Sequence, residues 1–145
     1  MDATDQRILA LLVSDGRRTY GDIGAQVGLS PPSVKRRVDR LRAVGTLKGF
    51  TAIVDHAAMG ATTEALLELF FPPGVSLAEV ATTLARYPEV IEAWSVTGEA
   101  DAIARVRTSD NSDLERLIIA LQREDHVTRT RSQVVLSQLV DRPVG

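Results

Sequence analysis

The sequence has 145 residues, 44% of them hydrophobic and 25% charged, with a formal net charge of −2. That is the balance of an ordinary globular chain of one or two small domains. The absence of cysteine excludes disulfides, thiolate metal sites and cysteine nucleophiles, and suits a reducing, cytoplasmic setting. No window approaches about eighteen consecutive apolar residues and no basic-then-apolar leader is read, so neither a membrane span nor a signal peptide is expected.

Asp2 is a predicted cap for a first helix, with Asp5 near the positive end of its dipole. Ile8, Leu9, Leu12 and Val13 supply its apolar face, and Ser14-Asp15-Gly16 ends it. Thr19-x-x-Asp22 opens a second helix with Ile23 and Val27 four apart, closed by Gly28. Ser30 then caps a third, with Pro31 at its first position, where a missing N–H costs nothing. Val34, Val38 and Leu41 form one buried stripe and Gly45 ends the helix. Leu47 to Val54 reads as extended. Residues 1–54 are thus one domain, 55–62 a linker, and 63–145 a second domain.

In the second domain Glu64–Phe71 reads as a strand stopped by Pro72-Pro73-Gly74. Ser76 caps a helix with Leu77, Val80, Ala81 and Leu84 on one stripe. Val90–Thr97 and Ala102–Arg107 are strands separated by Gly98-Glu99-Ala100-Asp101. A second helix carries Leu114, Leu117, Ile118 and Leu121, and Val127–Val140 reads as a long final strand. The order is βαββαβ, an α+β ferredoxin-like arrangement behind a helix-turn-helix. The strands read as apolar on both faces, since Ala65, Leu67, Leu69 and Phe71 alternate with Leu66 and Phe70. Helices cover one face in this topology, so the other calls for a second copy of the chain.

Charge is unevenly spread. Residues 1–50 carry nine Lys and Arg against five Asp and Glu, and residues 51–145 carry eight against fourteen. A basic first third on an acidic body points to a polyanion as partner of the first part. A helix that enters the major groove needs an apolar back and a polar, cationic front. With Val34, Val38 and Leu41 turned inward, the outward residues are Pro32, Ser33, Arg36, Arg37 and Arg40, with Lys35 beside them and Ser30 at the start. Ser33 and Arg36, near the helix start, are expected at base edges of double-stranded DNA. Arg40, Arg42 and Arg18 are expected at phosphates. The competing reading is a merely solvated basic face.

The chain resembles the Lrp/AsnC, or feast/famine, family of transcription regulators. The likeness is carried by Asp2-x-x-Asp5-x-x-Ile8-Leu9-x-x-Leu12, Asp15-Gly16-Arg17 and Val27-Gly28-Leu29-Ser30. It continues in Val34-Lys35-Arg36-Arg37-Val38-x-x-Leu41-x-x-x-Gly45 and Leu47-x-Gly49-Phe50. Later, Val96-Thr97-Gly98-Glu99-Ala100-Asp101 resembles the family's Gly-x-x-Asp ligand turn, and Val127 to Ser132 its final strand. The resemblance implies a winged helix-turn-helix, a linker strand, and a ferredoxin-like domain that forms homodimers and often octamers. It also implies amino-acid effectors bound between subunits. Many members carry an aromatic residue at or just after the turn, where this chain has Ala100 and Ala102.

The candidate effector-binding residues are therefore Thr97, Gly98, Glu99, Ala100 and Asp101, with Gly98 allowing a tight turn and Glu99 or Asp101 pairing an amine. The plainer reading is a hairpin, which Gly and Asp explain without a ligand. His56 and His126 stand seventy positions apart and read as neither metal ligands nor catalytic groups. Trp94, alternating with Val90 and Val96, reads as core or interface packing, and Arg129 and Arg131 share one strand face. No catalytic motif, cofactor fingerprint or metal set is read. The expected function is a sequence-specific, effector-modulated transcription regulator. The alternatives are an assembly protein that binds DNA architecturally and a ferredoxin-like enzyme with a helical appendage.

Overall fold

The computed structural model describes residues 1–141. They divide into two compact units, Met1–Ile53 with the terminal segment from Leu139, and Val54–Gln138.

The first unit holds α1 (Ala3–Ser14), α2 (Tyr20–Val27) and α3 (Pro31–Ala43). A reciprocal capping box starts α1: the Asp2 carboxylate accepts the Asp5 N–H at 2.8 Å, and the Asp5 carboxylate accepts the Asp2 N–H at 3.1 Å. Thr19 caps α2 by accepting the Asp22 N–H. Ile8, Leu12, Ile23, Val34 and Val38 form the core, with Leu11, Tyr20, Val27, Leu29 and Leu47 packed against it. The apolar face of α1 is thus turned slightly from the expected one, because Leu11 joins it while Val13 is exposed. Gly24 is the tightest point. A Cβ there would lie 2.3 Å from the Leu29 carbonyl oxygen, and the Leu29 N–H donates to the Gly24 carbonyl at 3.0 Å, so the turn between α2 and α3 folds directly onto α2.

Among the described residues the wing implied by the family resemblance forms no strand. Leu47 packs on the helical core and its N–H bonds the Leu41 carbonyl, but residues 48–54 pair with no ladder among the described residues.

The second unit is built on a four-stranded antiparallel sheet, with β1 (Thr63–Phe70), β2 (Val90–Ser95), β3 (Ala102–Thr108) and β4 (Arg129–Val134) in the spatial order β2-β3-β1-β4. Helices α4 (Leu77–Leu84) and α5 (Asn111–Gln122) cover one face. Ala65, Leu67 and Leu69 of β1 and Ala102, Ala104 and Val106 of β3 meet Val80, Leu84, Leu114, Leu117 and Leu121 of the helices there. The burial of alternate residues along β1 and β3 follows from the strand's period of two.

Two expectations need correcting. The final strand is six residues long, not fourteen, because its partner runs out: Val134 pairs with Ala65, and the Val135 N–H bonds the Glu64 carbonyl near the start of β1. Of the two readings of Trp94, core or interface packing, the core one is excluded. A bulge between Val90 and Glu92 shifts the register, so Val90 packs on the helix side while Trp94 stands opposite Ile103 on the open face, 47% exposed. That face is less apolar than its sequence suggested. Leu66, Phe70, Trp94 and Ile103 are interleaved with ion pairs: Glu64 takes Arg105 and Arg107, and Arg105 also reaches Glu92 at 3.3 Å.

Candidate nucleic-acid interface and effector turn

Helix α3 begins at Ser30, whose hydroxyl makes no capping bond to the helix. Pro31 and Pro32 occupy the first two positions and have no N–H to donate, which leaves the Ser33 N–H as the one near donor that a cap could use. The Ser30 hydroxyl instead donates to the Ser33 hydroxyl at 3.0 Å, which leaves Ser33 half-buried. Pro32 is exposed beside them. Val34, Val38 and Leu41 are buried, as their spacing requires, so the remaining faces carry Lys35, Arg36, Arg37, Arg40 and Arg42.

These cations are not equivalent. Lys35 pairs with Asp39 one turn along at 2.6 Å, an exposed contact of little energetic weight. Arg37, expected to face outward, turns to α1 instead: its guanidinium donates to Asp2 at 2.7 Å and Asp5 at 2.8 Å. The apolar stripe was read correctly but its edge was not, because nothing in the spacing signals a carboxylate on another helix. Arg40 donates to Asp5 at 2.7 Å yet keeps more than half its side chain exposed. Arg36 and Arg42 are exposed and make no ion pair among the described residues. Arg18, in the turn before α2, has a buried Nε with no hydrogen-bond partner among the described residues.

Asp5 is a functional candidate that sequence reasoning missed. It was read as a dipole residue, yet it is fully buried. The hydrogen bond from Arg37, followed by the Asp2 backbone bond, holds its carboxyl below the usual range.

In the second unit Val96–Asp101 joins β2 to β3. The Val96 N–H bonds the Asp101 carbonyl, and the Asp101 N–H bonds the Leu69 carbonyl. The Asp101 carboxylate accepts the Phe71 N–H at 2.8 Å. Asp101, expected as one partner for an amine, is therefore already engaged in tying the turn to β1. Gly98 has φ +116°, a conformation side chains disfavour, and the position of its missing Cβ is open space. Ala100 is buried, while Thr97 and Glu99 are exposed. Beside the turn lies a concave space of about 590 Å3, lined by Glu68, Val96, Thr97, Glu99, Ala100 and Arg131 among others. Arg131 bonds Glu68 and approaches Glu99 at 3.5 Å, and Glu68 is held below the usual carboxylate range by that guanidinium. Arg129 instead lies over the Phe70 ring at 4.0 Å. The turn motif pointed to residues 97–101, but not to Glu68 and Arg131, which come together only through strand pairing.

No helix among the described residues is long and apolar enough to cross a membrane. Among the same residues no cluster of three or more His, Asp or Glu groups could hold a metal ion.

The comparisons agree along the whole chain. Residues 1–42 match the AsnC-type helix-turn-helix domain and residues 64–144 the Lrp/AsnC ligand binding domain. The HTH-type transcriptional regulator Rv2324 of Mycobacterium tuberculosis is 42% identical, over 98% of this chain and 96% of that one. The leucine-responsive regulatory protein of Rhizobium meliloti is 30% identical over 97% and 92%. Among solved structures, the feast or famine regulatory protein Rv3291c of M. tuberculosis, complexed with L-methionine, superposes with a TM-score of 0.92. It has 28% identity over 99% of this chain and 97% of that one. Escherichia coli AsnC has the same fold at a TM-score of 0.92, with 23% identity over 99% of this chain and 97% of that one. With both of its domains matched in order, the chain belongs to the Lrp/AsnC family and is a helix-turn-helix transcriptional regulator, not an enzyme.

Proposed function

We propose that this regulator reads specific double-stranded DNA with α3 and answers to an amino acid bound beside the 97–101 turn. The observation that carries the first half is that Arg36 and Arg42 are exposed and without ion pairs among the described residues, on a helix whose opposite stripe is buried. Arg36, near the helix start with Pro32 and Ser33, reaches base edges. Arg42 and Arg40, further along, meet phosphate, with Lys35 at the flank and Ser30 at the entry. The architectural alternative has no separate observation in its favour.

The second half rests on the pocket chemistry and on the relative complexed with L-methionine. Arg131 suits an α-carboxylate, Glu99 and Glu68 suit an amine, and the backbone near Gly98 admits close approach. The small Ala100 leaves side-chain room where many members carry an aromatic ring.

A second copy covers the open sheet face, aligning its Leu66, Phe70, Ile103 and Trp94 with their counterparts and giving two reading helices for half-sites roughly 34–36 Å, or a multiple of that, apart. Domain labour then divides as 1–54 for DNA and 63–145 for assembly and effector, joined by 55–62, in a cytoplasmic protein. Light scattering at micromolar concentration will give at least a dimer mass; a well-folded monomer sinks this reading of the open face.

The DNA test uses the duplex best bound by the unaltered protein from a random-sequence library, and an unrelated duplex of equal length. Arg36→Ala narrows the gap between them by about 1–3 kcal/mol for each base pair it reads. Arg42→Ala weakens both alike and lowers the salt slope by about one for each phosphate it no longer neutralises. If Arg36→Ala weakens both equally and Arg42→Ala abolishes the preference, the helix is docked the other way round.

A further inference from the structure

The buried carboxylate of Asp5 is an anion on the DNA-binding unit of a DNA-binding protein, which needs a physical reason. Three donors answer it. The Asp2 N–H reaches Oδ2 at 3.1 Å, the Arg37 guanidinium reaches Oδ1 at 2.8 Å, and the Arg40 guanidinium reaches Oδ2 at 2.7 Å. Arg37 is also bound to Asp2 at 2.7 Å. Two carboxylates from the start of α1 thus meet two guanidinium groups from α3, and the local charge is balanced.

The two arginines differ in what remains to them. The Arg37 side chain is mostly buried and engages both carboxylates, so it is a strut. Arg40 gives one nitrogen to Asp5 while its side chain stays 57% exposed. Its planar fork therefore has an inner edge fixed on a buried anion and outer donors facing solvent.

We infer that Asp5 is a positioning residue for DNA recognition: through Arg40 it pre-aims a guanidinium at the DNA backbone, and through Arg37 it sets how α3 is presented. The inference goes beyond the proposed reading of DNA by α3 and rests on it. An unanchored arginine surrenders rotamer freedom when it meets a phosphate, whereas Arg40 has surrendered most of it on folding. The carboxylate that holds it is shielded from the DNA by the guanidinium groups.

This role and a purely electrostatic one predict opposite signs. If Asp5 acted only as a negative charge near phosphate, removing the charge would tighten binding to every duplex. If it positions Arg40, Asp5→Asn weakens the selected duplex roughly tenfold at fixed salt, the worth of about one well-made charged hydrogen bond, and lowers the salt slope by about one per subunit. Unrelated DNA, which meets Arg40 through phosphate as well, weakens by a similar factor.

The experiment measures both duplexes at several salt concentrations with full-length Asp5→Asn, Arg40→Ala, Arg40→Lys and the Asp5→Asn/Arg40→Ala double variant. Circular dichroism first confirms that each is folded at the assay temperature. Arg40→Ala reproduces the Asp5→Asn loss, and the double variant loses little more than either single one, as coupled residues do. Arg40→Lys fails to rescue, because a single ammonium cannot span a buried carboxylate and a phosphate. Should Asp5→Asn fail to fold, Arg40→Lys carries the test, since it leaves the Asp5–Arg37 pair intact: wild-type binding by that variant overturns the inference. So does an Asp5→Asn protein that binds both duplexes as tightly or more tightly, or a double variant whose losses are additive. If Arg36→Ala and Arg42→Ala also leave both affinities unchanged, the reading of DNA by α3 falls with it. If they behave as proposed, only the positioning role of Asp5 is lost.

Discussion

On the open face of the sheet Arg105 and Arg107 share Glu64, Arg131 is held by Glu68, and Arg129 lies over the Phe70 ring. On α3, by contrast, Arg37 and Arg40 are held by α1 while Arg36 and Arg42 make no ion pair among the described residues. A guanidinium whose donors are all taken within its own chain must break a bond before it can serve a partner; one that is unbonded, or that keeps an exposed edge as Arg40 does, need not. The open sheet face therefore commits Arg105 and Arg107 to cross-strand order, and the helical unit leaves Arg36, Arg42 and the exposed edge of Arg40 available for a polyanion. Counting basic residues in a segment does not reveal this division, but following each one to its partner does.

The sharpest way to separate the two units is to disrupt one alone. Gly24→Ala would place a Cβ 2.3 Å from the Leu29 carbonyl oxygen, a backbone atom that cannot swing aside. The turn must open, and the bond from the Leu29 N–H to Gly24 is lost with it. Overpacking of this kind costs about 1–3 kcal/mol, and the hydrogen bond adds about 1 kcal/mol. Hydrogen exchange should show protection falling across α1, α2 and α3 and persisting in β1 and β3, while DNA binding drops. Equal loss of protection in the strands would mean that the two units do not fold as separate bodies.

Much of this was legible beforehand, and the failures have physical causes. The caps at Asp2, Thr19 and the proline start of α3 act through neighbours within four residues, so sequence spacing reveals them. The run of apolar residues in β1 marked it as a strand, but not which of its two faces the helices bury. What sequence could not give depends on distant pairing. The bulge that turns Trp94 outward is defined only against β3. The early end of β4 is set by where β1 begins. The capture of Arg37 needs Asp5, thirty-two positions away. The pocket beside the turn was half legible, since residues 97–101 are contiguous whereas Glu68 and Arg131 are brought there by strand register.

A smaller effect should appear in the sheet unit. The Cβ of Gly98→Val meets no neighbour within 4 Å, so the main cost is backbone strain at φ +116°, about 1–3 kcal/mol. The strain is local to the turn, and the valine will rotate the backbone that borders the pocket. Calorimetry with L-methionine should show weakened binding, with DNA affinity in the absence of ligand nearly unchanged. Unaltered methionine affinity in a folded Gly98→Val protein would put the effector site elsewhere.

The smallest expected effect concerns acid, and it tests whether the carboxylates of the helical unit are bound as tightly as their geometry indicates. Arg37 and the Asp5 N–H hold the Asp2 carboxyl down to about 2 from the ordinary 3.8. A carboxyl with a lower pKa in the folded state binds fewer protons folded than unfolded, so stability rises with pH wherever the two states differ. The contribution of Asp2 is therefore complete above about pH 4 and is lost as pH falls through about 2. Asp5 shifts in the same direction for the same reason, with Arg37 as its main partner. Because Asp2 is half exposed, solvent screens its share. Denaturation followed between pH 5 and pH 2 should show the helical unit losing stability toward the acid end. Asp2→Asn should flatten part of that slope, since an amide does not titrate, and Asp2→Asn/Arg37→Ala should flatten it further by removing the largest of the influences that lower Asp5, with Arg40 still in place. A slope unchanged in Asp2→Asn would mean that the ion pair at the start of α1 is too loose in solution to distinguish folded from unfolded carboxylates.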